Sequence, residues 1–261
     1  AARFDQIRSI TEHGEWWIDR YATNTFDTVS VGGHTFPNKA PGTTLLGLAP
    51  WRLTRFALSV LPLDEGKRLV LTMYLLTLLM AAFPTALISL MMLRFLARSG
   101  WTTTSATLIA IGYGVGSIAF PWGTTFFGHQ LAAGFAFGAF YLIWDSGSAS
   151  RETTTSRLLL AGLMIGFLPV IEYPAAIASG LIVVYAFLLL GARAASVVVA
   201  GAILGILPLP LYNAAFLGSP AVLSYGFYKE ESLFAAHQQG FMGVSWPRLG
   251  VLNEILFKPH R

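Results

Sequence analysis

Cysteine is absent from this chain of 261 residues, and charged residues make up only 11% of it. Without thiols there is no disulfide framework and no thiolate metal site. Soluble domains carry about 25% charged residues, so the composition excludes an ordinary soluble globular domain. The sequence also contains no glycine-rich phosphate loop ending in Lys-Ser/Thr, no HExxH and no GxSxG. The motifs of P-loop nucleotide hydrolysis, zinc proteolysis and α/β-hydrolase chemistry are therefore missing.

Apolar sequence is what the chain has in abundance. Hydrophobic residues make up 54% of it, including seven Trp and nineteen Phe, and the mean hydropathy is +0.61. A formal net charge of +4 is a common feature of nucleic-acid-binding proteins. In so apolar a chain, the basic excess instead indicates membrane topology and contact with lipid head groups. The composition predicts an integral membrane protein and no nucleic-acid partner.

Long apolar runs predict an all-α polytopic bundle with about six transmembrane helices, since a span must cross about 30 Å of hydrocarbon. The run 158–190 is too long for one span and contains Glu172-Tyr173-Pro174. A charge and a proline at mid-membrane are costly, so this run is interpreted as two short helices that turn at the tripeptide. The five runs are 69–93, 103–120, 130–144, 158–190 and 196–217.

The positions of the arginines predict how the bundle is oriented. The links 94–102, 145–157 and 191–195 contain five arginines, whereas the links 121–129 and 172–174 contain no Lys or Arg. The positive-inside rule therefore places the N-terminal loop and both chain ends on the extracytoplasmic side. If 158–190 were a single span, the C-terminal segment would be cytoplasmic instead. The arginines are Arg94, Arg98, Arg151, Arg157 and Arg193.

Three regions follow from this topology. Residues 1–67 form a first extracytoplasmic loop, 68–217 the transmembrane bundle, and 218–261 a truncated extracytoplasmic segment. Within the first, residues 43–61 have apolar residues near helical spacing on one face and Arg52, Arg55 and Ser59 on the other. That pattern predicts an interfacial amphipathic helix rather than a span.

The chain starts without Met and stops at Arg261, which suggests a fragment that lacks a first span and a C-terminal part.

Most non-arginine polar residues near the spans fall on the same predicted side. Asp27 is a candidate general base, although Asp also stabilises turns. Lys39 can meet a lipid-linked phosphate as a point charge, or can be a solvated turn residue. Glu172 lies between apolar runs, where an acid is usually functional unless it sits high in the head groups. The candidate substrate-binding residues are His34, Asn38, Lys39, His129, Glu172, Tyr173 and Arg248.

Several short segments together resemble a known family. They are RFDQIR at 3–8, GEW at 14–16, Asp27 with GHTFPNKAPG at 33–42, FGH at 127–129 and EYP at 172–174. These resemble outer-loop elements of GT-C membrane glycosyltransferases, specifically family 39-like proteins, the group around protein O-mannosyltransferases and the lipid A aminoarabinose transferase. The resemblance in topology covers most of the chain, and the resemblance in motif covers about forty residues.

The resemblance implies transfer of a hexosyl or pentosyl unit from a polyprenyl-phosphate donor to a protein, lipid or glycan acceptor. It implies an extracytoplasmic active site on a bacterial inner-membrane protein whose other partners are membrane lipids. A first-loop acid serves as base in such enzymes, which makes Asp27 the best carry-over, with Asp19 and Asp5 behind it. The family's Asp-Glu pair would fall at or before Ala1, so the catalytic acid itself could precede this sequence.

Two other readings stay open. A transporter or lipid flippase predicts internal repeats and broken helices around a midplane site, and no repeat stands out in this sequence. A catalytically inactive relative of the transferases would keep the topology but not the chemistry. No cofactor is implied with certainty, and a divalent metal remains open. Its ligands would have to come together through long-range folding, and the candidates are His34, His129, Glu172 and His237.

Overall fold

A computed structural model describes residues 1–147, 154–227 and 249–257. The described chain is mostly helical, as the sequence predicts, with one small hairpin that the all-α prediction did not include. The hairpin pairs β1 (Thr28–Val31) with β2 (His34–Pro37). The helices are α1 (Ala2–His13), α2 (Gly42–Ser59), α3 (Glu65–Thr77), α4 (Phe83–Arg98), α5 (Thr103–Gly116), α6 (Ala119–Gly123), α7 (His129–Ser146), α8 (Thr155–Ile171), α9 (Ala176–Ile206), α10 (Pro208–Phe216) and α11 (Leu249–Phe257).

Two helical stretches are long and apolar enough to cross a membrane, judged by length and composition. Helices α3 and α4 form the first, because a π-helical turn at Leu78–Ala82 joins them into one helix of 34 residues, Glu65–Arg98. Asp64 caps its start by accepting a hydrogen bond from the Lys67 backbone N–H at 2.9 Å. The second is Tyr173–Phe216. Helix α8 is apolar but shorter. By this criterion the described structure has two candidate stretches, and the prediction of six spans is not supported.

The break predicted at Glu172-Tyr173-Pro174 is present. Helix α8 ends at Ile171, a 3₁₀ turn covers Tyr173–Ala175, and α9 begins at Ala176. The chain reverses again at Gly191, whose φ of 76° interrupts α9 and favours glycine. Contacts with α8 show the reversal. Ser179 donates to the Ile165 carbonyl and Ala202 lies beside Gly166, so residues from the two halves of α9 meet the same level of α8. Helix α9 is therefore a helical hairpin, with both halves packed on α8.

Glycines set how closely α8 and the second half of α9 approach. A Cβ on Gly162 would lie 2.1 Å from the Val198 carbonyl oxygen, and one on Gly201 would lie 2.4 Å from the Leu159 carbonyl oxygen. Both distances are far below van der Waals contact, so only hydrogen fits at these positions. Small residues that allow such close backbone approach are typical of helix contacts in membranes.

The links between the helices collect at two opposite ends of the bundle. At one end, the buried Asp145 at the end of α7 pairs with both Arg98 of α4 and Arg157 of α8. At the other end, the first residues of α1 contact the α8–α9 turn through Arg3 and Glu172. The arginine-containing links and the predicted outer links therefore lie at different ends, in agreement with the grouping expected from the sequence.

Helix α2 forms where an amphipathic helix was predicted, with one face buried against the protein and another face exposed. It packs on α1 through a face of small and polar residues, where Gly47 lies against Ile7 and Trp51 meets Phe4 edge-on at 5.1 Å. The later part of the predicted apolar stripe faces outward, with Leu53, Phe56 and Val60 largely exposed, whereas Leu45 and Leu46 at its start pack against the core. The helix thus keeps an apolar surface that the described protein does not cover, as a helix lying in a membrane interface would.

Replacing Gly201 by Ala is expected to lower the free energy of unfolding by about 1–3 kcal/mol, because the added methyl meets backbone atoms of α8. The measurement is denaturant or thermal unfolding of the purified protein in detergent, followed by Trp fluorescence.

Gly180→Ala is the matched control, since a Cβ there meets nothing within 4 Å. It removes a flexible helical glycine and should stabilise the protein by up to about 1 kcal/mol. Equal effects of the two substitutions would show that the close α8–α9 contact does not determine stability.

Candidate functional site

The β1–β2 hairpin brings Asp27 and Lys39 together. Its two-residue Gly32-Gly33 turn has positive φ at both positions, as a tight hairpin turn requires. Past the last ladder pair, Thr28 opposite Pro37, the Asn38 N–H donates to the Asp27 carbonyl at 3.1 Å. Lys39 then reaches across, and its Nζ lies 3.2 Å from Asp27 Oδ1. The side-chain amide of Asn38 also donates to that carboxylate at 3.4 Å.

The loop that follows the hairpin is fixed against the α8–α9 turn. Ala40 is buried against Val170 and Tyr173. The Ser224 hydroxyl donates to the Asn38 carbonyl at 2.8 Å and lies 3.2 Å from the Tyr173 hydroxyl. These contacts join the Asp27–Lys39 pair to the same end of the bundle as Glu172. Tyr173, predicted as a binding residue, acts here mainly as a buried support.

Glu172 is the centre of a second, more buried cluster. Arg3 Nη2 lies 2.9 Å from Glu172 Oε1 and also donates to the Ile171 carbonyl at 3.2 Å. His129 Nδ1 lies 3.4 Å from the same carboxylate oxygen. The exposed fraction is only 5% for the Arg3 side chain and 14% for that of Glu172. A charge so well covered needs a partner, and Arg3 supplies it.

Gly128 lets this cluster close. A Cβ there would lie 2.6 Å from Glu172 Oε1 and 2.7 Å from Thr43 Oγ1. The start of α7, the start of α2 and the α8–α9 turn therefore meet at one residue without a side chain. His129, the next residue, stacks on Phe127 and meets the edge of Trp122 at 4.5 Å. Its imidazole remains about half exposed at the edge of the cluster.

An apolar groove of about 560 Å³ lies between α4, α5 and α6. The hydroxyl residues Thr85, Ser89, Thr107 and Thr124 are its few polar lining residues, and Thr124 lies at the α6 end. Helix α6 also carries Trp122, which contacts His129. One wall of the groove is thus continuous with the polar cluster. The groove itself is almost wholly apolar, and none of the charged residues of the cluster lines it.

One predicted site residue of the described chain, His34, lies apart from the cluster. His34 is at the turn end of the hairpin, where its Nδ1 pairs with Asp19 Oδ2 at 2.7 Å and its ring stacks on Trp17 at 4.0 Å. Arg248 lies outside the described residues. Asp27, Asn38, Lys39, His129, Glu172 and Tyr173 do share one end of the bundle. Among the described residues no three His, Cys, Asp or Glu side chains gather as metal ligands.

Arg3 and Thr43 are the cluster residues that the site prediction did not include. Arg3 stood in the sequence only as part of a motif, because its partner Glu172 is far away along the chain. The sequence did contain a chemical signal, because a glutamate between apolar runs needs a cation. The arginines nearest to Glu172 in sequence, Arg157 and Arg193, are predicted at the opposite end, so the cation had to come from a distant segment. Comparisons with family models, curated proteins and solved structures gave no match.

The two reserve acids of the N-terminal segment have opposite environments. Burial raises the pKa of Asp5, against the opposing hydrogen bond from Asn24. Burial also tends to raise the pKa of Asp19. Hydrogen bonds from His34 and the Thr35 backbone outweigh that effect and hold the pKa below its ordinary value. The carboxylate of Asp19 thus binds two residues of the hairpin, His34 and Thr35. Ionisation of the buried Asp5 destabilises the folded protein. Asp27 is the more accessible candidate base, with 47% of its side chain exposed.

Arg3→Met should cost about 3 kcal/mol of stability, because it leaves Glu172 buried without its arginine. The double variant Arg3→Met with Glu172→Gln should lose clearly less, since no charge then remains to be paired. Thermal unfolding in detergent of these two proteins, of Glu172→Gln alone and of the wild type measures the coupling. Additive losses would mean that the two side chains do not depend on each other.

Asp5→Asn should stabilise the protein at neutral pH by about 1 kcal/mol, because it removes a buried carboxylate. The raised pKa of Asp5 means that ionisation weakens the folded state as pH rises, so the gain should shrink toward about pH 4.

Asp19→Asn should act in the opposite direction. The lowered pKa of Asp19 gives a stabilising contribution that is present at neutral pH and lost as pH falls through the folded-state value. The loss should be small, because the pair is partly exposed. Unfolding curves across pH test both variants, and equal signs at neutral pH would contradict the assignment.

Proposed function

We propose that this chain is the membrane part of a GT-C-type glycosyltransferase that moves a sugar from a polyprenyl-phosphate donor to an acceptor. The observation that carries the proposal is the grouping at one end of the helical bundle. An accessible carboxylate, Asp27, and an accessible ammonium, Lys39, lie 3.2 Å apart at the same end as the charged cluster of Arg3, Glu172 and His129. An apolar groove runs from the same end along α4 and α5.

In this proposal the bundle crosses the membrane about six times, with the arginine-rich links on the cytoplasmic side. The two long apolar stretches support membrane insertion, and the apolar stripe of α2 supports an interfacial position for that helix. Asp145 with Arg98 and Arg157 then marks the inner end. The Asp27–Lys39 end faces the extracytoplasmic side, where polyprenyl-linked sugars are used.

Each reacting group has a candidate partner in this arrangement. The carboxylate of Asp27 accepts the proton of an acceptor hydroxyl. The hydroxyl oxygen forms a bond to the anomeric carbon while the bond from that carbon to the phosphate oxygen breaks. The electron pair leaves with the phosphate, whose growing negative charge is stabilised by Lys39. Attack from the side opposite the leaving group inverts the anomeric configuration.

Arg3, Glu172 and His129 have a supporting role in the proposal. Glu172 is too well covered by Arg3 to be the first candidate for the base. The cluster instead fixes the α8–α9 turn on which the Lys39 loop rests. His129, half exposed beside the groove wall, is placed to donate a hydrogen bond to the phosphate or to a sugar hydroxyl.

The test is transfer of radiolabelled sugar from a panel of polyprenyl-phosphate sugars by the complete membrane protein. Asp27→Asn should lower the rate by about 10²–10⁴-fold through loss of the base. Lys39→Gln should lower it by about 10²–10³-fold through loss of charge stabilisation.

Glu15→Gln is the control, because it removes a charge of the same segment that pairs with Arg20 and not with the cluster. It should leave transfer unchanged. Transfer that survives both Asp27→Asn and Lys39→Gln would rule out this pair as the reaction site. Sugar-lipid translocation across vesicles without transfer would favour the flippase reading instead.

A further inference from the structure

Asp27 and Lys39 form an ion pair with each other. Their charged atoms lie 3.2 Å apart, so the side chain assigned to the acceptor proton is the counter-ion of the side chain assigned to the phosphate. The carboxylate takes one of the three N–H donors of the Lys39 ammonium and offsets its charge, and it repels a phosphate that binds at the same nitrogen. The two ligands of Lys39 therefore compete.

We propose that Asp27 is an internal competitor for the anion at Lys39, and that a lipid-linked phosphate displaces it and thereby frees it to act as base. This inference rests on the proposed function, since it assigns an order of events to the same two residues. Donor binding then precedes activation of the acceptor. The base is held by the lysine until a phosphate is present.

The geometry assigns the movement to the lysine. Asp27 is held by the backbone pairing with Asn38 and by the Asn38 side-chain amide. Lys39 reaches the carboxylate through its flexible four-carbon stem. The exposed fractions, 47% for Asp27 and 28% for Lys39, leave both accessible to a ligand. Exposed ion pairs contribute little to stability, so rotation of one side chain away is cheap.

The neighbouring carboxylate does not share this property. Glu172 is covered, and Arg3 holds it at 2.9 Å while also binding the Ile171 carbonyl. Displacing Arg3 would uncover a buried charge, which is costly. Glu172 and Asp27 therefore differ, since Glu172 belongs to a fixed structural pair and Asp27 to an exchangeable one.

The experiment measures binding of dodecyl phosphate to the complete protein in detergent, by titration calorimetry without any sugar donor. Asp27→Asn should bind about two- to fivefold more tightly than the wild type, since the competing ion pair is exposed. That factor corresponds to roughly 0.4–1 kcal/mol at about 1.4 kcal/mol per tenfold. Lys39→Gln should bind more weakly, and adding Asp27→Asn to it should restore little, because no ammonium remains to be released.

Glu15→Gln is again the control for general charge, and it should bind dodecyl phosphate as the wild type does. Unchanged or weaker binding by Asp27→Asn would overturn the inference while leaving the phosphate role of Lys39 intact. Equal tightening by Glu15→Gln would also overturn it, since the effect would then be non-specific. Equal binding by wild type and Lys39→Gln would remove the phosphate site itself, and the proposed function would fail with the inference.

Discussion

The buried ion pair between Arg3 and Glu172 is the interaction on which the rest of the site depends. Because Glu172 lies where α8 ends and the chain turns into α9, an unpaired charge there would be expensive. Arg3 pairs with the charge of the carboxylate and donates a hydrogen bond to the Ile171 carbonyl, which the helix end leaves without an intrahelical partner. In doing so it fixes α1 to the bundle. The Lys39 loop and the hairpin then have a defined surface to rest on.

Close helix packing supplies the complementary constraint. Glycines allow the second half of α9 to pack closely on α8, and the turn at Gly191 lets the chain reverse between the two halves of α9. This arrangement sets the position of the α8–α9 turn at one end and of the Asp145 cluster at the other. Polar residues at the two ends are therefore separated by an apolar middle that carries few charges.

Much of the helical architecture follows from local sequence, whereas the site depends on distant pairing. The break at Glu172-Tyr173-Pro174 and the helix after Gly42 were predictable, because proline, charge and apolar periodicity act within a few residues. The hairpin was missed although Gly32-Gly33 between β-branched residues is a turn signal. Arg3 was missed because its role exists only once α1 meets a turn far along the chain.

Exposure separates the ion pairs that hold the fold from the one suited to exchange with a ligand. Asp145 is almost fully buried and bridges two arginines, so its removal would leave charges without partners. Glu172 is covered by Arg3 in the same manner. Asp27 and Lys39, by contrast, have accessible side chains, and the hairpin orders the backbone that carries them. A pair whose backbone is fixed and whose side chains are free to part can exchange one partner for a ligand without loss of the fold.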